Sequence, residues 1–246
     1  MQGKTIDINV DVGEGFANES KLIPYVSSCN IACGGHVGNS KTMRKVVRLA
    51  KNHNVKIGAH PSFPDMENFG RKPMDMSCVA LFTSIKNQID SLITILEDEN
   101  VLLHHIKPHG ALYNMAATNI KNATAIIEVM KSIAQPIKLY VPFNSVIEKL
   151  AIQNNIPITY EAFADRNYNN DLTLVSRHEN NALIHDAGVM FEHVFRMIST
   201  QKVKTIQDDE VVIKAETFCI HGDNLKAANL LKYLRLNLES KGIKIL

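Results

Sequence analysis

The feature that most constrains the fold is an alternation, along the whole chain, of short apolar runs and amphipathic helical segments. About seven such units follow one another without a linker or a low-complexity segment. Parallel strands need long connections, so this spacing predicts strands joined by helical crossovers. We predict an α/β fold, a distorted (β/α)7 barrel that forms a single domain over residues 1–246, rather than an open doubly wound sheet.

The predicted strands end in turn signals, and the predicted helices carry apolar residues at helical spacing. The helix after the fourth strand is predicted to carry Ile133, and the helix after the sixth strand to carry Ile184. Gly242 is predicted to stop the last helix. The predicted strands cover residues 4–11, 29–33, 55–59, 101–106, 137–141, 156–160 and 211–220.

Composition narrows the classes of function. The formal net charge of +2 gives no indication of nucleic acid or an anionic membrane as the main partner. The four cysteines form no C-x-x-C pair, so we expect reduced, mostly buried thiols in a cytoplasmic protein. We expect no export signal and no membrane span, because no basic-then-apolar leader and no long apolar run is present. The chain also lacks the glycine-rich motifs that bind nucleotides.

Residues 105–114 are the most informative stretch for function. The fourth predicted strand stops at Pro108, which cannot donate a hydrogen bond to a sheet, and Gly110 then permits a sharp turn. Lys107 and His109 therefore lie where a strand gives way to a loop. In barrels of this class, ligands bind at the carboxyl ends of the strands. A lysine at such a place predicts a cation for an anionic substrate group.

Polar side chains also end most of the other predicted strands. If these strands close into a barrel, the side chains converge on one mouth, as expected of general acid/base or metal chemistry. The fifth strand is the exception and ends in residues 142–144 without a titratable group. The residues at or near strand ends are Asn9, Asp11, Glu14, His36, His60, Lys107, His109, Glu161, His221 and Asp223.

Several of these residues also have a structural interpretation. Asp11 is suited to cap the turn at Gly13, and Asp223 to cap the last helix. Arg71 and Arg166, on loops after strands, are suited either to bind a carboxylate through two parallel hydrogen bonds or to form a loop-ordering salt bridge.

Metal binding stays open at this level. Asp11, His36, His60 and His221 are suitable ligands in type, but no local spacing supports a site. Such a site has to be assembled across strands, which spacing in the sequence does not test.

The motifs, taken in order, resemble the LamB/YcsF family, also called the 5-oxoprolinase A-subunit family. The resemblance extends from near residue 6 to the C-terminus. The motifs that carry it are residues 7–16, 26–34, 58–65, 69–71, 105–114, 161–166 with Tyr168, and 221–223.

The resemblance implies a distorted barrel similar to glycoside hydrolase and deacetylase-like barrels. It also implies an enzyme, a hydrolase that opens the cyclic amide 5-oxo-L-proline to L-glutamate at the expense of ATP. The family acts as a complex, so subunits B and C are the expected partners. ATP is then a co-substrate bound with those subunits, together with Mg²⁺. The resemblance leaves open whether the chain itself binds a metal or forms a homo-oligomer.

Roles at the site are hypotheses. We expect Asp11 or His60 to act as general base, and His109 and His221 to stabilise or protonate developing charge. Lys107 or Arg166 is expected to hold the substrate carboxylate. The alternatives are a stand-alone metal-dependent amidohydrolase or carbohydrate deacetylase, and a substrate-binding or scaffold subunit without catalytic residues. The residues predicted to bind substrate are Asn9, Glu14, His36, Arg71, Lys107, Glu161, Arg166 and Asp223.

Overall fold

The computed structural model describes residues 3–224 and 226–246, and over these residues seven parallel strands close into a barrel. Closure occurs because β1 pairs with both β2 and β9, and β10 adds a short parallel pairing at the start of β1. The predicted barrel is therefore confirmed. In chain order the strands are β1 (Thr5–Val12), β2 (Ser28–Ala32), β3 (Lys56–His60), β4 (His105–Ile106), β5 (Lys138–Pro142), β6 (Ile158–Phe163), β7 (Lys202–Lys204), β8 (Glu210–Val212), β9 (Thr217–Ile220) and β10 (Lys244–Ile245).

The helices pack their apolar faces on the outside of the barrel. Several begin at a side chain that accepts a backbone N–H of the first turn: Ser77 accepts from Ala80, and Ser145 forms a capping box with Glu148. Gly242 adopts a left-handed φ of 76° just beyond the last helix, as predicted. The helices are α1 (Glu19–Leu22), α2 (Ser40–Asn52), α3 (Cys78–Asp98), α4 (Gly110–Thr118), α5 (Ile120–Lys131), α6 (Val146–Gln153), α7 (Ala187–Thr200) and α8 (Ala227–Ser240), with a 3-10 helix at Ile23–Tyr25.

The two faces of β1 differ in chemistry. Side chains alternate along a strand, so Ile8 and Val10 face the helices while Asp7, Asn9 and Asp11 face the barrel interior. The interior of a (β/α) barrel is usually filled with branched apolar side chains. Here the register sets the polar residues of β1 beside polar residues of neighbouring strands, so a hydrogen-bonded polar core leads to the barrel mouth. The paired positions are Asp7 with Thr217, Asn9 with Ser28 and Cys219, and Asp11 with Asn30.

The predicted seventh strand, residues 211–220, is wrong as a single element. Its first part belongs to β8, which pairs antiparallel with β7 in a separate two-stranded sheet, and β9 alone enters the barrel. Two consecutive strands cannot be separated by apolar periodicity when no glycine or proline lies between them. The predicted fourth strand, residues 101–106, contracts to β4, since the Val101 N–H bonds the Leu96 carbonyl at the end of α3.

Two predicted helical positions lie outside helices. Ile133 follows the end of α5, and Ile184 precedes α7, whose first turn is capped by Asp186 accepting from the Val189 N–H. Both side chains still pack on the core, which is why they matched an apolar pattern. The thiols are free, and three are buried, but Cys78 is exposed. Among the described residues, no helix combines the length and the apolar character needed to cross a membrane.

Candidate active site

A cavity of about 420 Å³ opens at the carboxyl ends of the barrel strands. Its volume falls in the range of small-molecule sites. One wall is the strand-to-helix segment at residues 107–114, and another is the loop at residues 174–178 that follows β6. The lining residues predicted from the sequence are Asp11, His60, Arg71, Lys107, His109, Arg166 and His221.

Two glycines permit the close packing around this mouth. A Cβ at Gly58 would lie 2.1 Å from Nε2 of His105, so only glycine leaves room for that ring inside the barrel. Gly110 has a φ of 52°, and a Cβ there would lie 2.7 Å from the Gly70 carbonyl oxygen. The segment that carries Lys107 and His109 therefore packs closely against the loop that follows β3 and contains Gly70.

Lys107 is the cationic centre of the barrel interior and is 2% exposed. Its Nζ lies 3.0 Å from Asp11 Oδ1, 2.9 Å from Glu161 Oε1 and 2.9 Å from Cys219 Sγ. Burial opposes its charge, but Asp11 and its other anionic neighbours outweigh burial and hold the pKa of Lys107 well above its usual value. Lys107 is therefore a buried cation that is already paired.

The Asp11 carboxylate pairs with this cation and also lines the cavity. Its Oδ1 accepts from Asn30 at 2.7 Å as well as from Lys107, which leaves Oδ2 pointing toward His60, 3.4 Å from the imidazole Nε2. Burial opposes ionisation, but the interactions with His60 and Lys107 hold the pKa of Asp11 well below its usual value. The side chain does not cap the turn at Gly13, so the alternative role considered for it is not observed.

His60 and His109 face each other across the mouth. Nε2 of His60 and Nδ1 of His109 are 2.9 Å apart. The other nitrogen of each ring bonds a backbone carbonyl, His60 Nδ1 to Lys107 at 2.7 Å and His109 Nε2 to Phe69 at 2.9 Å. Burial and the neighbouring imidazoles lower the pKa of His109 well below its usual value, which favours the neutral ring.

Glu14 and His36 lie behind this pair. Glu14 Oε1 is 3.4 Å from His109 Nδ1 and 3.2 Å from His36 Nε2, and the His36 ring stacks on the His109 ring at 3.7 Å between centroids. Burial, together with the charge of Asp11, raises the pKa of Glu14 to about 7. Burial lowers the pKa of His36 to about 4. Four ligand atoms, from Asp11, Glu14, His60 and His109, lie within 4.8 Å of one another.

His221 occupies the other side of the mouth with a carboxylate that the sequence analysis did not single out. Asp165, at the end of β6, accepts from the His221 backbone N–H at 2.9 Å and contacts Nδ1 at 3.0 Å. The imidazole stacks on Phe163. Burial opposes ionisation of Asp165, but the interaction with His221 lowers its pKa. An imidazole oriented by a carboxylate is suited to general acid/base chemistry.

Guanidinium groups form the rim. Arg71 donates to Asp223 at 2.6 Å, and Arg177 approaches the same carboxylate at 3.3 Å. Asp223 therefore does not cap α8, whose N-cap position is Lys226. Arg166 is buried and donates to the carbonyls of Val175 and Ala182, which orders the loop over the cavity. The loop-ordering interpretation of Arg166 matches these contacts, through carbonyls rather than a salt bridge.

Some predicted site residues support the cavity without lining it. Asn9 and Glu161 lie deeper in the barrel and are joined by a 3.0 Å hydrogen bond, while Glu14 and His36 lie behind His109. Asp223 lines a neighbouring cavity instead. Their roles in binding substrate stay predictions. Sequence reasoning missed Asp165, Asn30, Cys219 and Arg177. Asp165 and Asn30 fall within the motifs at residues 161–166 and 26–34, and Cys219 lies inside a predicted strand, whereas no pattern in the sequence marks Arg177.

Comparisons with known proteins match the whole chain. The model of the LamB/YcsF family matches residues 6–246. A protein named as the A subunit of 5-oxoprolinase, from Bacillus cereus (strain B4264), is 41% identical over an alignment of 248 positions that covers 98% of each chain. A protein of the same name from Bacillus thuringiensis subsp. konkukian (strain 97-27) is 41% identical over an alignment of 247 positions, which again covers 98% of each chain. The crystal structure of the lactam utilization protein from Thermus thermophilus has a TM-score of 0.91 at 34% identity, covering 100% of this chain and 99% of that chain.

Proposed function

The chain belongs to the LamB/YcsF family, which confirms the resemblance drawn from its motifs, and on this premise we propose that it is the A subunit of a 5-oxoprolinase. It takes part in the ATP-dependent cleavage of 5-oxo-L-proline to L-glutamate, with subunits B and C as partners. The observation that carries this proposal is the 41% identity, over 98% of both chains, to a relative of that name.

The chemistry explains why ATP and partners are needed. An unstrained lactam is a poor electrophile, and phosphorylation of its oxygen by ATP, which releases ADP, activates the carbonyl carbon toward water. One water adds to that carbon, and the C–N bond breaks as the ring nitrogen takes a proton, which leaves an acyl phosphate of glutamate. A second water hydrolyses the acyl phosphate to L-glutamate and phosphate. This chain has no phosphate-binding loop in its sequence, so we assign ATP and its Mg²⁺ to a site that the partner subunits provide or complete.

The rim guanidiniums are the best-placed groups for the substrate carboxylate. Arg71 and Arg177 share Asp223 at the edge of the cavity, so a substrate carboxylate can exchange with that residue or join it. The donors of Lys107 are already engaged by Asp11, Glu161 and Cys219. We therefore assign Lys107 to holding Asp11 ionised and in place, rather than to the substrate.

His221 is the group best suited to move a proton. Its Nδ1 contacts Asp165, and the residue lines the cavity. In this arrangement the carboxylate orients the ring and stabilises the imidazolium that forms when the ring takes a proton from water. The proton is then available to the ring nitrogen of the lactam as the C–N bond breaks.

The test is turnover by the complete complex. The chain is purified with subunits B and C, and glutamate release from 5-oxoproline is measured with and without ATP. We expect ATP-dependent release by the wild type and a loss of about 100-fold or more in kcat for His221→Ala. His53→Ala, at an exposed position after α2, is the matched control and stays within about twofold. Absence of ATP-dependent glutamate release by the assembled wild type contradicts the proposal.

One alternative has an observation in its favour. The cluster of Asp11, Glu14, His60 and His109 has the composition of a metal-dependent amidohydrolase site. That function requires hydrolysis of a lactam or an N-acetyl sugar by the isolated chain without ATP. Such activity favours the alternative, whereas turnover in the complex that survives every substitution at the mouth favours a substrate-binding or scaffold subunit.

A further inference from the structure

We propose that Asp11, Glu14, His60 and His109 form a binding site for one divalent transition-metal ion, for which Zn²⁺ is the best match. The inference rests on the geometry of these four side chains and does not depend on the proposed function. All four are buried, and Asp11, His60 and His109 line the cavity. An ion held by them is therefore accessible from the mouth of the barrel.

The two imidazoles are oriented with one nitrogen each toward the cluster. A carbonyl oxygen only accepts hydrogen bonds, so the Lys107 carbonyl places a proton on Nδ1 of His60, and the Phe69 carbonyl places one on Nε2 of His109. In the neutral rings the remaining nitrogens carry lone pairs, and these nitrogens face each other at 2.9 Å. Ligating histidines are typically held by such a bond from the second nitrogen to a carbonyl.

The spacing of the ligand atoms is close to that of a tetrahedral zinc site. At Zn–ligand distances of about 2.0 to 2.2 Å, the edges of a tetrahedron are about 3.4 Å long. Four edges are 2.9 Å between His60 and His109, 3.4 Å between His60 and Asp11, 3.4 Å between His109 and Glu14, and 3.9 Å between His60 and Glu14. All four ligand atoms lie within 4.8 Å of one another, so side-chain rotation alone would bring them to coordination distance of one ion.

The side chains behind these ligands hold them in place. Asp11 uses Oδ1 for Asn30 and Lys107 and directs Oδ2 toward the cluster, 3.4 Å from His60 Nε2. His36 contacts Glu14 Oε1 from behind and stacks on His109. Partners that orient ligands in this way are what a preorganised metal site needs.

The balance of charge around Glu14 also favours a bound cation. Lys107 is the cationic partner of Asp11 and Glu161, but among the described residues the ionic partners of Glu14 within 4.0 Å are histidines alone. A buried carboxylate that lacks a cation is costly. A divalent ion satisfies Glu14 and both imidazole lone pairs together.

The donor set selects the class of ion. Two imidazole nitrogens and two carboxylate oxygens suit Zn²⁺, Co²⁺, Mn²⁺ or Fe²⁺, whereas Mg²⁺ and Ca²⁺ prefer oxygen alone. No thiolate takes part, because Cys219 is engaged by Lys107. The competing occupant is a single proton shared by His60 and His109, and the experiment separates the two.

The test is metal content of the full chain, a readout independent of turnover. Protein stripped with a chelator is dialysed against Zn²⁺, Co²⁺ or Mg²⁺, and bound metal is measured by mass spectrometry. We expect about one Zn²⁺ or Co²⁺ per chain, a visible absorption spectrum typical of tetrahedral Co²⁺, and no stoichiometric Mg²⁺. Glu14→Gln and His109→Ala weaken Zn²⁺ binding by about tenfold or more. His221→Ala, at the same mouth but outside the cluster, retains the metal.

Two results overturn the inference. One is folded wild-type protein that takes up neither Zn²⁺ nor Co²⁺, which leaves a shared proton between the imidazoles. The other is folded Glu14→Gln and His109→Ala with wild-type Zn²⁺ affinity, which places any metal elsewhere. Circular dichroism checks folding, and the Co²⁺ spectrum of the wild type decides the question if both variants fail to fold. A negative result here leaves the ATP-dependent activity to its own test.

Discussion

Asp7 and Asp11 lie on the same strand, face the same barrel interior and are 5% and 4% exposed. The pKa values of their carboxyl groups are nevertheless shifted in opposite directions. Asp7 accepts hydrogen bonds from Ser28 and Thr217, and burial raises its pKa. At Asp11 burial also opposes ionisation, but His60 and Lys107 outweigh it and hold the pKa well below its usual value.

The comparison shows that burial and residue type do not decide what a carboxyl group does. Hydroxyl partners leave Asp7 as a structural group at the floor of the barrel, where its Oδ2 has no hydrogen-bond partner among the described residues. The Lys107 cation and the His60 imidazole keep Asp11 ionised at the mouth, where an anion can bind a metal or accept a proton. Four variants test this difference, beginning with the largest expected effect.

The largest effect is expected from Lys107→Met. Removing the cation leaves the buried carboxylates of Asp11 and Glu161 without it, so the free energy of unfolding should fall by about 3–5 kcal/mol. Urea denaturation measures this, with Lys45→Met on the exposed face of α2 as the control, within about 0.5 kcal/mol of wild type. A Lys107→Met loss below about 1 kcal/mol shows that Asp11 does not depend on the pairing.

Asp11→Asn should abolish most of the turnover of the assembled complex, with a loss of about 100-fold or more in kcat, because the anion at the mouth is removed. Asp7→Asn is the matched control on the same strand. Its amide can keep the hydrogen bonds from Ser28 and Thr217, so kcat should stay within about twofold of wild type. Equal losses in the two variants would mean that the floor and the mouth of the barrel act as one unit.

His193, a buried base on α7, extends the comparison to histidine. Burial lowers its pKa from 6.5 to about 4, so between these values the unfolded chain binds more protons and stability falls as pH decreases. His193→Phe removes this proton uptake and can keep the stacking on Tyr168. At pH 5 the wild type should have lost up to about 2 kcal/mol more than the variant, relative to pH 7.5.

Urea denaturation at the two pH values measures the His193 effect. His53→Phe, exposed at the end of α2, is the control and should follow the wild-type pH dependence. If wild type and His193→Phe lose the same free energy of unfolding between pH 7.5 and 5, the assignment of a neutral buried imidazole is contradicted.

The smallest expected effect is the difference in how stability changes with pH between Asp7→Asn and Asp11→Asn. The raised pKa of Asp7 means that its contribution is fully present below pH 3.8 and is lost as pH rises through the folded-state value. Asp7→Asn should therefore gain stability relative to wild type with rising pH. The pKa of Asp11 is lowered, so its contribution to stability changes with pH in the opposite direction. Asp11→Asn should therefore lose stability relative to wild type as pH rises. Melting temperatures measure the Asp7 slope above pH 3.8 and the Asp11 slope below it, because the contribution of Asp11 is lost as pH falls from 3.8 toward its folded-state value. Slopes of the same sign rule out the contrast.

Much of the fold could be predicted because its signals are local. Apolar runs, helical spacing and turn residues are properties of neighbouring positions, so they predicted the barrel and the strand ends that carry Asp11, His60, Lys107 and His221. The same signals failed at residues 211–220, where strands of two different sheets follow each other with no glycine or proline between them.

The sequence by itself determined the parallel barrel, the family and most of the polar residues at the mouth. Only the tertiary structure decided the pairings: Asp165 with His221, Lys107 between Asp11 and Glu161, and two imidazoles facing each other. The physical reason is that a hydrogen bond or ion pair between residues far apart in the chain depends on strand register and barrel closure. Those distances of about 3 Å are what separate a supporting polar residue from one that can bind a metal or move a proton.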